Sequence, residues 1–210
     1  MDIFTAGLLY FTSFFTLINP LGIMPVFISM TSDLEDSQRK RIAGKAVITA
    51  FIILTAFAFS GQILFDFFNI SVHSFRMAGG IIFFLVGYDM LQARIGKTKV
   101  DSTEINTYVT DISITPLAIP MICGPGAITN AIVLMEDSDT IALKITLIVS
   151  ISLTIFVTYI VLWSSSRIIK ILGETGNKVL MRLMGLIVMV IAIEFFFAGL
   201  KPVLQDILGK

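Results

Sequence analysis

Long apolar stretches alternate with short polar segments along the chain, and these stretches predict membrane-spanning helices. Three of them hold no charge: Ala46 to Phe65 has 20 residues, Ile112 to Met135 has 24, and Ile145 to Ser166 has 22. At about 1.5 Å per residue, each can cross about 30 Å of hydrocarbon. Val72 to Ala93 and Val179 to Leu200 are equally apolar, although each holds one acid within the span.

A further span, Phe4 to Thr31, is interrupted by Asn19-Pro20, and neither half is long enough to cross a membrane alone. Met1 to Ile3 lack the basic residues that begin a signal peptide, so we expect the segment to be retained. The pattern predicts an all-α, polytopic membrane protein of six helices in one domain, residues 1–210. A polar loop at about 94–111 would separate three helices (about 1–93) from three more (about 112–210).

The composition supports a membrane protein and excludes several other classes. Hydrophobic residues make up 56% of the chain and charged residues only 14%, whereas a soluble domain carries roughly 25% charged residues. Fifteen basic residues balance 15 acidic ones, which argues against a nucleic-acid partner. Cys123 is the only cysteine, so an internal disulfide and a thiolate metal site are excluded. We expect no metal and no cofactor.

The basic residues predict the orientation in the membrane. With the N-terminus outside, the inner loops would hold eleven of the 15 Lys and Arg residues, including the cluster Arg39-Lys40-Arg41. The outer side would hold only Arg76, Lys144, Lys201 and Lys210. Because cytoplasmic loops are enriched in Lys and Arg, both termini are predicted on the non-cytoplasmic side. Anionic-lipid binding is a second interpretation of the basic cluster.

The two halves carry the same features in the same order. At an offset of 105 residues, Pro20 aligns with Pro125, and at 106 the segment Arg76–Ile81 aligns with Arg182–Ile187. Because each half has three spans, the second half must enter the membrane with the opposite polarity. The pattern predicts two inverted three-helix repeats with helices 1 and 4 broken, which is a plan that secondary transporters use.

The two breaks are the strongest candidates for a binding site. Proline leaves backbone groups unsatisfied within a helix, so a break must face protein or water. A half-helix begins after Asn19, and another begins near Ala127; each exposes free amides and the positive end of its dipole, which suits a carboxylate. A purely structural kink is the alternative. The candidate substrate-binding residues are Thr16, Asn19, Pro20, Gly22, Gly124, Gly126, Thr129 and Asn130.

The polar side chains near the breaks have two interpretations. Their hydroxyl and amide groups could bind a small solute, or the hydroxyls could bond back to their own helix. The second interpretation applies equally to helix 5, where Thr146, Ser150, Thr154 and Thr158 recur every four residues.

Two acids within the spans, Asp89 and Glu194, also align at an offset of 105. They are the proton-coupling candidates, because a carboxylate deep in the membrane must pair, face water or carry a proton. Glu194 lies deeper, whereas Asp89 is close to the cytoplasmic end of its helix. Gly87-Tyr88-Asp89 is similar to one motif of intramembrane aspartyl proteases, but Ile193-Glu194-Phe195 lacks the glycines of the second. We therefore do not expect an enzyme.

The motifs together resemble the MarC family of six-helix inner-membrane proteins. They are Asn19-Pro20-Leu21-Gly22 with Pro25, the basic loop after it, Arg76 to Gly80, and Gly124-Pro125 with Ala127 to Thr129. The family is similar in layout to the LysE exporters, and it includes an archaeal, proton-driven transporter of glycine and alanine. The resemblance implies a secondary transporter of a small zwitterionic solute in the cell (inner) membrane. A channel or an accessory membrane protein without amino-acid transport is the alternative, and the oligomeric state stays open.

Overall fold

The computed structural model describes residues 2–32, 34–92 and 112–209, and every regular element among them is helical. The all-α prediction is therefore confirmed for this part of the chain. The predicted connecting loop falls largely on residues 93–111, which lie outside the described residues. In chain order the helices are α1 Ile3–Ile18, α2 Pro20–Met30, α3 Asp36–Phe68, α4 Val72–Leu91, α5 Ser113–Ile122, α6 Pro125–Glu136 and α7 Ile141–Leu208.

Short polar caps fix where most of the helices begin and end. A capping box joins Glu35 and Gln38 at the start of α3, and Asn69 ends that helix in the left-handed conformation with φ 52°. The Ser71 hydroxyl then accepts the Ser74 amide at 3.0 Å and begins α4. The Thr140 hydroxyl accepts the Leu143 amide at 3.3 Å at the start of α7. These caps satisfy amides that a helix terminus leaves unpaired.

The last helix, α7, is two membrane-length arms joined at one glycine. Gly173 has φ 65° and ψ −179°, a conformation that is essentially restricted to glycine. The arms on either side are Ile141–Ser165 and Thr175–Leu208.

In the part of the chain that the structure describes, five helical segments are long and apolar enough to cross a membrane, and the count is six if α5 and α6 form one bent span. The bend between α5 and α6 is 58°, whereas α1 and α2 together form a single candidate span, Ile3–Met30. A multi-pass membrane protein is therefore confirmed. Each half of the described chain has the same order: one broken span followed by two continuous ones.

Glycines bring α4 and the second arm of α7 into backbone contact, as expected for small residues between membrane helices. A Cβ on Gly87 would lie 2.9 Å from the Gly185 carbonyl oxygen, and a Cβ on Gly185 would lie 2.8 Å from the Gly87 oxygen. Gly80 faces the Ala192 carbonyl oxygen in the same way, at 2.8 Å. Gly80, Gly87 and Gly185 therefore form a close-packed contact between the two helices. This contact holds α4 against the second arm of α7, which lies beside the second break.

Candidate functional site

The first break is a capped joint between two half-helices. Asn19 adopts the left-handed conformation with φ 49° and ends α1, and Pro20 is the first residue of α2. The Gly22 amide donates to the Asn19 side-chain oxygen at 3.1 Å, as in a standard N-cap. The first-turn amides of α2, predicted to be free for a carboxylate, are therefore partly occupied by the chain itself.

The second break is buried, and no side chain caps the helix that follows it. Thr115 and Ile119, each followed by proline, leave the helical conformation, and α5 has wide turns as a result. The helix begins again at Pro125, two residues earlier than the predicted Ala127, with Gly124 as its N-cap. Glycine has no side chain, so no cap bonds the first turn of α6. The Cys123 thiol donates to the Ala50 carbonyl oxygen at 3.0 Å and anchors the break to α3.

The fold brings the two breaks together through one face of α1. A Cβ on Gly126 would lie 3.1 Å from Leu17 Cδ2, so Leu17 covers the first turn of α6. One turn earlier, the Ser13 hydroxyl donates to the side-chain oxygen of Asn130 at 3.1 Å. The residues before the first break therefore pack along the residues after the second.

A small, partly enclosed cavity of about 20 Å³ lies beside the first break, which is room for about one water molecule. Leu17 and Phe83 line it, and each also contacts a glycine of the second break: Leu17 contacts Gly126, and the Phe83 ring lies against Gly124. These two side chains separate the cavity from the first turn of α6. The other lining residues are Ile18, Asn19, Gly22, Ile23, Val86, Met90, Met121, Val188 and Ile191.

Two polar groups in α6 are buried without a partner among the described residues. Thr129 is 1% exposed, and neither its hydroxyl oxygen nor the amide nitrogen of the Asn130 side chain has a hydrogen bond. Buried polar groups are normally paired, because a buried unpaired one costs roughly 1–3 kcal/mol. A hydroxyl and an amide donor are thus available one turn from an uncapped helix N-terminus.

The sequence matches the family described as MarC family integral membrane proteins over residues 4–204. The chain belongs to the MarC family. A UPF0056 membrane protein of Pyrococcus horikoshii is 38% identical over 194 residues, covering 92% of this chain and 94% of its own length. The UPF0056 membrane protein YvbG of Bacillus subtilis is 38% identical over 202 residues, covering 93% and 96%. No protein of solved structure matches this chain.

The structure brings most of the predicted site residues of this MarC protein together, with one clear exception. Seven of the eight predicted residues lie in the two breaks or in the turns of α2 and α6 that follow them. They are Asn19, Pro20, Gly22, Gly124, Gly126, Thr129 and Asn130. Thr16 is exposed, and its hydroxyl donates to the Thr12 carbonyl oxygen at 2.8 Å. It bonds back to its own helix, as do Thr146, Thr154 and Thr158 of α7.

The two candidate acids of this MarC protein lie outside the cavity. Asp89 is exposed two residues before the end of α4. Glu194 is exposed in the second arm of α7, beside Phe195, whose ring lies 3.6 Å from the Cβ position of Gly126. Glu194 is therefore adjacent in sequence to a residue of the site, whereas Asp89 is at a helix end.

Two residues of the site were not predicted from the sequence. Ser13 faces Asn130, and Tyr10, three residues earlier, also contacts the second half, through Ser138 at 3.2 Å, but the sequence carries no signal for either contact. Phe83 lies four residues after Gly79, whose Cβ position contacts Pro125. Residues four apart share a helix face, so Phe83 lies on the same face of α4 as Gly79 and is a neighbour of the second break.

Proposed function

We propose that this MarC protein is a secondary transporter of small neutral amino acids such as glycine or alanine. The observation that carries the proposal is the uncapped N-terminus of α6 beside the buried, unpaired side chains of Thr129 and Asn130. In the proposal, the first-turn amides of α6 hold the substrate carboxylate, and the Asn130 amide and Thr129 hydroxyl donate to it.

The electrostatics of the breaks suit a zwitterion. A helix N-terminus carries about half a positive charge, and a helix C-terminus carries about half a negative one. The first turn of α6 would attract a carboxylate, while the last carbonyl groups of α1, which ends at Ile18 beside the cavity, would attract an ammonium group. No charged residue is among those that line the cavity, which favours a solute without net charge.

The small size of the cavity supports a small substrate, which would need space that this conformation does not provide. A space of about 20 Å³ cannot hold an amino acid, so Leu17 and Phe83 must move before a substrate reaches Gly126. The lining residues are mostly large and apolar, which would admit the methyl group of alanine more readily than a polar side chain.

We also propose that the two halves are inverted repeats, with both termini on the non-cytoplasmic side. The supporting observations are the repeated order of a broken span and two continuous ones, and the uneven distribution of basic residues. Ser37 and Asp139 follow the broken spans of the two halves, and both are exposed. Cysteines placed there in a Cys123→Ser background should be labelled from opposite sides of intact cells, with only position 139 reached from outside. Equal labelling by an impermeant reagent would contradict the inversion.

Uptake into proteoliposomes tests the function directly. We expect radiolabelled glycine and alanine to accumulate under an imposed proton gradient, and the recovered solute to be chemically unchanged, as for a transporter and not an enzyme. Thr129→Val should remove most of this uptake. Thr16→Val is the matched control, because Thr16 is exposed and its hydroxyl bonds to its own helix, and it should leave uptake within about twofold of the wild-type level. A channel would only equilibrate the solute. An accessory protein would give no uptake of any amino acid in the panel.

A further inference from the structure

An apolar groove runs along the outside of the helix bundle between α3 and the first arm of α7. It has a volume of about 490 Å³, and it is open, since Ile48 and Phe156 in its walls are exposed. Gly44 lies in its floor, and a Cβ there would meet no atom within 4 Å. The residues that line the groove are Gly44, Val47, Ile48 and Phe51 of α3 and Ser152, Ile155, Phe156 and Tyr159 of α7.

One end of the groove carries two positive charges around a tryptophan. Lys40 precedes Gly44 by one helical turn, and Trp163 follows Tyr159 by one turn, so both extend the walls of the groove. The Lys40 ammonium nitrogen lies 5.7 Å from the centre of the Trp163 ring, and the Arg167 guanidinium carbon lies 5.9 Å from it.

These two charges have no acidic partner in the described part of the chain. Asp36, which lies four residues before Lys40 on α3, is paired with Arg39 at 3.8 Å. The contacts of Lys40 and Arg167 with the tryptophan ring are close to the limit of about 6 Å for a cation–π interaction. Both cations are exposed and remain available for an anion.

We propose that this groove binds an anionic diacyl phospholipid, with its phosphate between Lys40 and Arg167 and an acyl chain along the groove. The dimensions agree: from Lys40 to Phe51 is about 16 Å along α3, about half of the roughly 30 Å hydrocarbon thickness, which is the depth of one leaflet. Trp163 stands at the charged end, where tryptophan is enriched at membrane interfaces.

The charge pattern favours a lipid over a second copy of the chain. In a two-fold dimer the same patch meets itself, so Lys40 and Arg167 of both copies would be brought close together without a described carboxylate between them. An anionic headgroup instead neutralises the cations, and juxtamembrane Lys and Arg attract anionic lipids in this way.

Trp163 provides the measurement, because it is the only tryptophan in the chain. The protein is placed in phosphatidylcholine vesicles. These contain a small mole fraction of a lipid brominated on its acyl chains, which is either brominated phosphatidylglycerol or brominated phosphatidylcholine. The quenching of Trp163 fluorescence by the brominated lipid is recorded. We expect brominated phosphatidylglycerol to occupy the site about tenfold more favourably than brominated phosphatidylcholine, the preference that two nearby cations supply.

Three variants separate the parts of the site. Lys40→Gln with Arg167→Gln should reduce quenching by the anionic lipid to the level of phosphatidylcholine. Gly44→Leu should obstruct the groove and weaken quenching by the anionic lipid, while the open space above Gly44 spares the fold. Lys144→Gln, at the opposite end of the same arm of α7, is the matched control and should keep the preference. Circular dichroism and a monodisperse elution profile verify that each variant is folded.

The outcomes distinguish the possible occupants. Equal quenching of the wild-type protein by the two brominated lipids would overturn the proposal. An absence of quenching by either lipid would also overturn it, because a second copy would then cover the groove. Inorganic phosphate at millimolar concentration should not relieve quenching by the anionic lipid. If it does, the cations bind a free anion and the groove has no part in recognition.

Discussion

The two helix breaks have similar sequences but different structures. Both contain a proline at equivalent positions, Pro20 and Pro125, and both end one half-helix and begin another. At the first break the chain remains one candidate span, Ile3–Met30, and Asn19 caps the new helix. At the second break the chain bends by 58°, and no side chain caps the new helix. The first break is therefore capped by its own side chain, whereas the first turn of α6 at the second break has no side-chain cap.

One residue position accounts for much of this difference. Asparagine tolerates the left-handed conformation, and its short amide can reach a first-turn amide, so Asn19 satisfies the break from within. Gly124 stands at the corresponding place in the second break with φ −71° and has no side chain to donate or accept. Pro116 and Pro120 interrupt α5 before this bend. The N-terminus of α6 therefore has no side-chain cap.

The largest expected effect comes from a valine in the first turn of α6. Gly126→Val places a branched side chain beside Leu17 and Phe195, whose flexible side chains can shift, but it also crowds the free amides. We expect glycine binding to weaken by about tenfold or more, which is at least about 1.4 kcal/mol, with the protein still folded. Equilibrium binding of labelled glycine to purified protein measures the loss.

Gly22→Val is the matched variant at the first break. Its Cβ would lie 2.5 Å from the Asn19 side-chain nitrogen, so the valine displaces the cap. We expect the free energy of unfolding to fall by about 1 kcal/mol, as for loss of an N-cap, and glycine binding to change little. If Gly22→Val weakens binding as much as Gly126→Val does, the two breaks share the site equally.

The next largest effect is expected from replacing an acid within a membrane span, and it concerns transport and not substrate binding. Glu194 is exposed in the middle part of a membrane arm, where a charged carboxylate costs several kcal/mol, whereas Asp89 is at a helix end. If Glu194 couples transport to protons, Glu194→Gln should abolish gradient-driven accumulation and spare exchange at equal pH. Asp89→Asn is the control and should accumulate substrate normally. Undiminished accumulation by Glu194→Gln would shift the coupling role to Asp89.

Much of the fold could be predicted from the sequence because membrane spans and helix breaks have local signals. Apolar length identifies a span, and proline with glycine identifies a break, whatever surrounds them. The direction of a side chain has no such local signal. Thr12, Thr16 and Asn19 share a spacing that looks like one face, yet the structure turns Thr16 outward and Ser13 towards Asn130. The rotation of α1 depends on its packing against α6 and α7, which one sequence does not reveal.

A smaller effect is expected at Asn19, where two substitutions separate its roles. Asn19→Ala removes the cap and also places a less tolerant residue at φ 49°, so the free energy of unfolding should fall by about 1–2 kcal/mol. Asn19→Gly keeps the backbone conformation and should cost only a few tenths of a kcal/mol. Thermal unfolding in detergent compares the variants. Because both variants remove the cap, an equal loss in both would mean that the left-handed backbone conformation does not contribute to the difference.

The smallest expected effect concerns the hydrogen bond that joins the two breaks. Ser13→Ala removes the donor to Asn130, and hydrogen bonds between membrane helices contribute about 0.6 kcal/mol on average, so the loss of stability should be of that size. Tyr10→Phe is the control, because Ser138 keeps its bond to the Leu134 carbonyl oxygen at 2.6 Å and is not left unpaired. A measurement of glycine binding should also distinguish the Ser13→Ala variant from the Tyr10→Phe variant. Without Ser13 the Asn130 amide can rotate away from the first turn of α6, so Ser13→Ala should weaken binding about twofold, whereas Tyr10→Phe should not, since Tyr10 contacts neither break.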